Sequence, residues 1–357
     1  MKIIDLYILK KFLKTFFFAI MIIALIACVI DYTQKVDDFV NNNAPILRIA
    51  QYFMFFVPHI SALLYPLFVF IATIFFTSVM ANRTEIIAIL ASGVSFTRFL
   101  RPYVYGSIIL GFIALFANHI VVPYANEQIR IFHVDYIWSR PYSTDNNIHI
   151  RLNEREYVYF QNFDYPKKES TRMTLEILDG VVLKEKITAE RAIYDSVTND
   201  WLLKTASIRK FDGDKETFKN VKEHRIQLNL LPEDILNDER KKEALTTPQL
   251  LKTIAIQRQR GSESLNSFLF ELHKRTAEPF AGFILTIIGA CLASRKIRGG
   301  SGLHLAIGVG ICAVYVLFLQ VSKTFSINAG FNPFISMWIP NIIFGIIAIV
   351  MYRKKTQ

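Results

Sequence analysis

The chain has 357 residues, of which 52% are hydrophobic and 30 are Phe, and its formal net charge at pH 7 is +11. That much apolar surface excludes an ordinary soluble enzyme of this length, so the first question is where the apolar residues lie. Three cysteines, Cys28, Cys291 and Cys312, all fall in apolar runs, which excludes a disulfide framework and any zinc or redox spacing.

In chain order, residues 1–11 read as an amphipathic helix on the inner membrane surface, with Lys10 and Lys11 set among Ile3, Ile4, Leu6 and Ile8. Six apolar runs follow that are long enough to span a bilayer: 12–30, 53–80, 103–122, 277–293, 303–322 and 333–352. The first is expected to be retained, although Leu25 to Cys28 fits a lipoprotein cleavage box, because the apolar run continues through Ile30. Residues 31–52 read as a short outer connection broken by Asn41, Asn42, Asn43 and Pro45. The second run exceeds one span and holds Pro58 and Pro66, so tilt or a kink is expected there. The fourth run is the weakest, with Glu278 and Pro279 at its entrance.

Between the second and third runs lies NRTEIIAILASGVS, residues 82–95. Asn82 with Glu85 reads as a capping box, and Gly93 as a C-terminal stop. The enclosed helix is about ten residues, or about 15 Å, roughly half a bilayer. Its apolar residues go nearly all round, the mark of a helix packed on several sides, against lipid or against a partner's groove.

After the third run the hydrophobic period changes to two. Residues 148–152, 157–160, 173–178, 181–187, 201–208 and 224–230 read as strands, separated by turn residues such as Asp179-Gly180, Asn199-Asp200 and Gly213. Several short strands with no helix between them argue for an all-β sandwich or jelly roll. Pro232 closes the strands. A helix then starts with Thr247 at its N-cap and Pro248 in its first turn, ends at Gly261, and presents Leu250, Leu251 and Ile254 on one face. A further helix from Ser264 leads into the fourth run.

The basic residues set the orientation. One set of ends carries 13 cations (Lys2, Lys10, Lys11, Lys14, Arg83, Arg98, Arg101, Arg295, Lys296, Arg298, Arg353, Lys354 and Lys355) against Asp5 and Glu85. The opposite short loops carry only Lys35, Arg48 and Lys323, against Asp31, Asp37 and Asp38. Both termini are therefore expected in the cytoplasm and the β domain outside. The net charge sits at the inner membrane face, which argues against nucleic-acid binding.

No phosphate-cradling loop with its lysine, zinc-protease motif or serine-hydrolase motif is present. The glycine-rich run at 298–302 lacks the lysine and reads as a flexible inner loop. His59, His119 and His304 are expected to be structural. No ionisable pair at helical spacing is expected within the spans, which leaves proton-coupled transport without support.

Residues 85–95 resemble the cytoplasmic coupling helix of the LptF/LptG (YjgP/YjgQ) family, permeases of the lipopolysaccharide-export ABC transporter. Leu250, Gly261, Phe270 to Arg275 and Pro279 resemble that family's approach to its fourth span, and 295–302, Pro340 and Gly345 also fit; the start at Asp5 looks more like LptG. The resemblance implies a polytopic α-helical membrane protein with six transmembrane helices and an inserted periplasmic all-β, jelly-roll-like domain. Residues 1–123 would hold helices one to three, 124–262 the β domain with its following helix, and 263–357 helices four to six. It implies no cofactor and no catalytic residue. ATP would be hydrolysed on an LptB-type ATPase dimer, engaged through Glu85, Ile86, Ile87, Leu90, Ala91, Ser92 and Gly93. An LptF-type permease would complete the cavity, and LptC- and LptA-type bridge proteins would receive lipopolysaccharide by strand-edge pairing. Lys35, Arg48 and Lys323 are the outer cations available to lipid A phosphates. Asp31, Asp37 and Asp38 are a departure from more basic members, and leave the phosphate clamp open between this chain and its partner. The alternative is a mechanotransmitting ABC subunit of the MacB/FtsX type, which has four spans per chain.

Overall fold

The structure is a computed structural model that describes residues 3–137, 147–164, 167–213, 215–235, 241–262, 264–295 and 300–356. Its helices are α1 (Ile3–Asn41), α2 (Ile46–Leu63), α3 (Tyr65–Asn82), α4 (Glu85–Ala91), α5 (Phe96–Phe116), α6 (Val122–Tyr136), α7 (Pro232–Ile235), α8 (Lys241–Ala244), α9 (Thr247–Arg260), α10 (Leu265–Ala293), α11 (Gly300–Asn328) and α12 (Pro333–Thr356). A π-helical turn, Ala117–Val121, joins α5 to α6. Between α6 and α7 lie β1 (Ile148–Arg151), β2 (Glu156–Asp164), β3 (Glu169–Asp179), β4 (Val182–Asp195), β5 (Asp200–Asp212) and β6 (Lys215–Ile226). The chain divides into two compact units. One comprises Met1–Ile137, Lys241–Leu250 and Asn266–Gln357; the other comprises Trp138–Arg240 and Leu251–Leu265.

The first unit is a helical assembly. Seven helical stretches among the described residues are long and apolar enough to cross a membrane. They cover the six expected runs, because the second run is cut in two. Leu64 leaves helical geometry at φ −102° and ψ 9°, and Pro66 sits in the first turn of α3, where its missing N–H costs nothing. Residues 31–52 are not a loose connection either. Helix α1 continues unbroken for 39 residues, about 58 Å. Asn43 turns the chain at φ +50° and Pro45 precedes α2. The C-terminal extension of α1 is held by tertiary contact: Phe39 packs with Tyr52 and Phe132 in a separate aromatic cluster. The surface helix expected over residues 1–11 is the first part of this same helix.

Helix α3 is the centre of the unit. Thirteen of its 18 residues are buried. Close approach to its neighbours uses missing side chains. A Cβ at Gly289 would meet Phe70 and Thr73, one at Gly282 would meet the Tyr65 ring, and one at Gly308 would meet Ile74. Near its N-terminus, α1 packs Ile8, Phe12 and Phe16 into the same core, with Phe12 over Gly106 of α5. Exposed apolar side chains on α1, α5 and α11, such as Phe17, Met21, Phe112, Leu317 and Phe325, suit contact with lipid.

The second unit carries one six-stranded antiparallel sheet, its strands in chain order from β1 to β6. This agrees with the all-β, jelly-roll-like insertion expected. The turn residues act as their chemistry dictates: Gly180, Asn199 and Gly213 take positive φ of 66°, 58° and 60° between successive strands. In the β4–β5 turn, the Val197 N–H donates to Asp195 at 3.0 Å and holds that carboxyl below its ordinary range. Alternate residues face one core: Val158 and Phe160, Met173 and Leu175, Ile187 and Ala189, Trp201 and Leu203. Trp201 is fully buried, lies against Phe160 and Tyr194, and donates its indole N–H to the Leu230 carbonyl at 3.0 Å. The expected last strand at 224–230 is displaced. Strand β6 begins at Lys215 and ends at Ile226, and its side chains are almost all exposed. Only Val221 and Ile226 of this edge strand pack against the core, so a hydrophobic alternation is not needed along it and the period-two signal is missing.

Trp201→Ala removes the largest side chain of this core and leaves the Leu230 carbonyl unpartnered. It is expected to cost about 3–5 kcal/mol, read as lost hydrogen-exchange protection across β2–β5 with the helices of the first unit unaffected.

Candidate functional site

The segment between α3 and α5 is built by three local devices. Asn82 is the last residue of α3, so the expected capping box does not form. Thr84 occupies the N-cap at φ +59° with no side-chain cap, and its hydroxyl donates to the Arg83 carbonyl. Helix α4 is seven residues long, shorter than expected. Gly93, at φ +85°, turns the chain after it and donates its N–H to the Leu90 carbonyl. A side chain there would be strained. Ser95 then caps α5 by accepting the Arg98 N–H at 3.3 Å. The Gly and Ser of the motif are thus the stop of one helix and the start of the next.

The seat of α4 is defined from one side only. Ile86 is 1% exposed and sits in the α1–α3–α5 core, with Ile89 beside it; burying that one side chain stabilises the seat by about 2 kcal/mol. Glu85 accepts from the Tyr7 hydroxyl at 3.2 Å, and Lys11 donates to the same hydroxyl at 2.7 Å. Asp5 pairs with Arg98 at 3.1 Å. Ile87 and Leu90 are 54% and 36% exposed, and Ala88, Ala91, Ser92 and Gly93 lie open beside them. The helix therefore does not bury itself all round. It shows an apolar, small-residue face outward.

Lys35, Arg48 and Lys323 are not brought together by direct contact. Lys35 is engaged internally: its ammonium lies 2.6 Å from Asp31, 2.6 Å from the Tyr52 hydroxyl and 3.3 Å from His133 Nε2. Arg48 is exposed on α2 and Lys323 is half-buried on α11; neither makes an ion pair among the described residues.

A polar network that the hydropathy pattern does not signal lies at the entrance to the fourth run. Because α10 runs without a break from Leu265 to Ala293, its ionisable residues fall at helical spacing after all. Arg275, 3% exposed, donates to Glu271 at 3.2 Å, to the Thr247 hydroxyl at 3.3 Å and to the Lys242 carbonyl at 3.2 Å. Lys274 lies 3.8 Å from both Glu271 and Glu278. Asn118 and His119, on the π-helical turn, reach Glu278 at 3.3 Å and Thr247 at 2.9 Å. Asn118, Glu271, Lys274, Arg275 and Glu278, with His59, Asn126 and Glu243, line a cavity of about 60 Å³, polar enough to hold water. Thr247 is consumed by this network, and the α9 N-cap is Thr246, which accepts the Leu250 N–H through its carbonyl and bonds Gln249 through its side chain. Of the apolar face expected on α9, Leu250 and Ile254 are buried and Leu251 is exposed.

The three histidines are hydrogen-bonded as expected: His59 to Asn126, His119 to Thr247, and His304 to the Arg295 carbonyl at 2.9 Å. All three cysteines are free. Of the basic, glycine-rich run at 295–302, residues 296–299 lie outside the described residues, and Gly300 opens α11.

Arg275→Met is expected to leave Glu271 with its charge poorly compensated and to destabilise the helical unit by about 3–5 kcal/mol. Arg275→Met with Glu271→Gln should recover part of that loss, as measured by thermal denaturation of the purified protein in detergent.

A scan against protein-family models matches residues 6–354 to the family described as lipopolysaccharide export system permease LptF/LptG. A search of curated proteins finds no match to the chain. With nearly its whole length covered by that model, the chain belongs to the LptF/LptG family of lipopolysaccharide-export permeases, multi-pass proteins of the bacterial inner membrane.

Proposed function

We propose that this permease subunit of an ABC transporter is driven through α4 by an ATPase carried on a separate chain. The observation that carries the reading is the two-sided character of α4. One side is fixed to the helical core by Ile86 and by the Glu85–Tyr7–Lys11 contacts. The other presents Ile87, Ala88, Leu90 and Ala91. Small residues between two larger apolar ones let a partner's groove approach the helix backbone closely, and burial of Ile87 and Leu90 would drive docking. The absence of a phosphate-cradling loop in the sequence fits this division of labour.

In this reading the partner is an LptB-type ATPase dimer, the termini and α4 are cytoplasmic, and the β domain is periplasmic. The chain is the LptG-type subunit and pairs with an LptF-type permease. Together they extract lipopolysaccharide from the inner membrane, with Lys35, Arg48 and Lys323 offered to the lipid A phosphates. The sheet passes the lipid to LptC- and LptA-type bridge proteins. Its terminal strands, β1 and β6, have one side each without a sheet neighbour among the described residues, and backbone groups at such an edge can pair with another strand.

Ala91→Trp places a bulky ring on the docking face, and Glu85→Lys reverses the charge at its first turn. Each is expected to abolish co-purification of the ATPase while leaving the permease folded, as judged by gel filtration. Retention of the ATPase by both variants, or intact export in a strain that lacks this chain, would overturn the reading.

A further inference from the structure

Lys35 is not a free cation. Its ammonium donates to Asp31 Oδ1 and to the Tyr52 hydroxyl, each at 2.6 Å, and the Tyr52 hydroxyl donates in turn to Asp31 Oδ2 at 2.7 Å. His133 Nε2 stands 3.3 Å from both Lys35 and Tyr52. A lysine ammonium can only donate, so that nitrogen faces it as an acceptor. The cluster joins three helices: Asp31 and Lys35 from α1, Tyr52 from α2 and His133 from α6. Tyr52 is 2% exposed and its ring stacks on Phe132 at 4.7 Å, so the hydroxyl cannot swing away. Asp31 and Lys35 remain 13% and 20% exposed, which leaves the pair within reach of a ligand from outside.

An anion that approaches Lys35 therefore meets a competing carboxylate. A phosphodiester headgroup carries a single charge, no more than Asp31 itself. A phosphomonoester carries about −1.5 to −2 near neutral pH and three strong acceptor oxygens. Only the second has the charge to displace Asp31 and the extra acceptors to engage the ammonium once it is released.

We propose that Asp31, held by Tyr52, is a specificity-determining residue: it occupies Lys35 so that lipid phosphomonoesters can take the ammonium and the phosphodiester lipids of the bulk membrane cannot. This rests on the reading of Lys35 as a lipid-phosphate contact. Asp31 and Tyr52 act through Lys35 and touch no substrate themselves. His133 supplies the third wall, so release of Lys35 also loosens α1 from α2 and α6.

The test uses the purified permease complex in nanodiscs containing equal amounts of lipopolysaccharide and phosphatidylglycerol, with retained lipids counted by native mass spectrometry. Asp31→Asn is expected to raise phosphatidylglycerol relative to lipopolysaccharide about fivefold, the scale of one partly exposed ion pair. Tyr52→Phe keeps the ring and removes the hydroxyl; it should shift the ratio in the same direction and serves where Asp31→Asn does not yield a folded complex. Lys35→Gln should lower lipopolysaccharide retention, and Asp31→Asn added to it should then change nothing. If Lys35→Gln lowers lipopolysaccharide but Asp31→Asn and Tyr52→Phe leave the ratio within about twofold, Lys35 is a contact without an internal competitor and the proposal fails. If Lys35→Gln leaves lipopolysaccharide retention unchanged, the reading of Lys35 itself fails.

Discussion

The burial of α3 is the constraint on which the helical unit depends. A helix apolar on every face must be surrounded, and here the surround is possible because glycines of α10 and α11 lie where its large side chains press outward. Phe70 and Ile74 would have nowhere to go against ordinary residues at Gly289 and Gly308. Once α3 is fixed, the chain that leaves it is fixed too. Only Arg83 and Thr84 separate its last turn from α4. A helix of seven residues has no stability of its own in water. Its position is inherited from α3 through that short link, from Ile86 in the shared core, and from the Gly93 turn that returns the chain to α5.

The polar groups obey the complementary rule. Inside a low-dielectric unit, charged side chains persist only with partners. Arg275 satisfies its guanidinium with a carboxylate, a hydroxyl and a backbone carbonyl, and two of those acceptors, Thr247 and Lys242, lie in the segment by which the chain re-enters the helical unit. Asn118 and His119 reach the same place because the π-helical turn re-aims them. The segment that leads out of the helical unit and the segment that leads back are therefore pinned to one helix by one network. Such a network costs desolvation to bury, and its return is position: it specifies where α6, α8 and α10 meet.

The sequence made the architecture legible where a single strong preference decided it. Long apolar runs, the switch to period two and the turn residues Gly180, Asn199 and Gly213 all marked what the structure contains. Helix ends and polar networks were less legible, because tertiary partners decide them. Asn82 has the chemistry of a cap, yet α3 runs through it; α1 outlives its apolar run because Phe39 finds Tyr52 and Phe132. The i,i+4 pairs Asp31–Lys35, Glu271–Arg275 and Lys274–Glu278 were visible as spacings. Hydropathy alone does not mark them as pairs, because it places the charged ends outside the helices that carry them. Tyr7 and Tyr52 gave no signal at all: nothing local announces that a tyrosine will meet Glu85 or Lys35 from another helix.

Helix α1 carries one contact at each end that matters to the proposed function. Tyr7 touches Glu85 at the root of α4, and Lys35 sits in the cluster with Asp31 and Tyr52, about 42 Å away along the helix at 1.5 Å per residue. Between them, toward the Tyr7 end, Phe12 is wholly buried over Gly106. A long helix that tilts about Phe12 behaves as an unequal lever, with arms of about 7.5 Å to Tyr7 and about 35 Å to Lys35. A shift of about 0.5 Å at Tyr7 then becomes one of about 2 Å at Lys35 on the same lever. The Lys35 hydrogen bonds are 2.6 Å long and bonds of this kind are lost beyond about 3.5 Å, so a displacement of that size is enough to open the cluster, against the resistance of the packed Phe39 and Tyr52 rings.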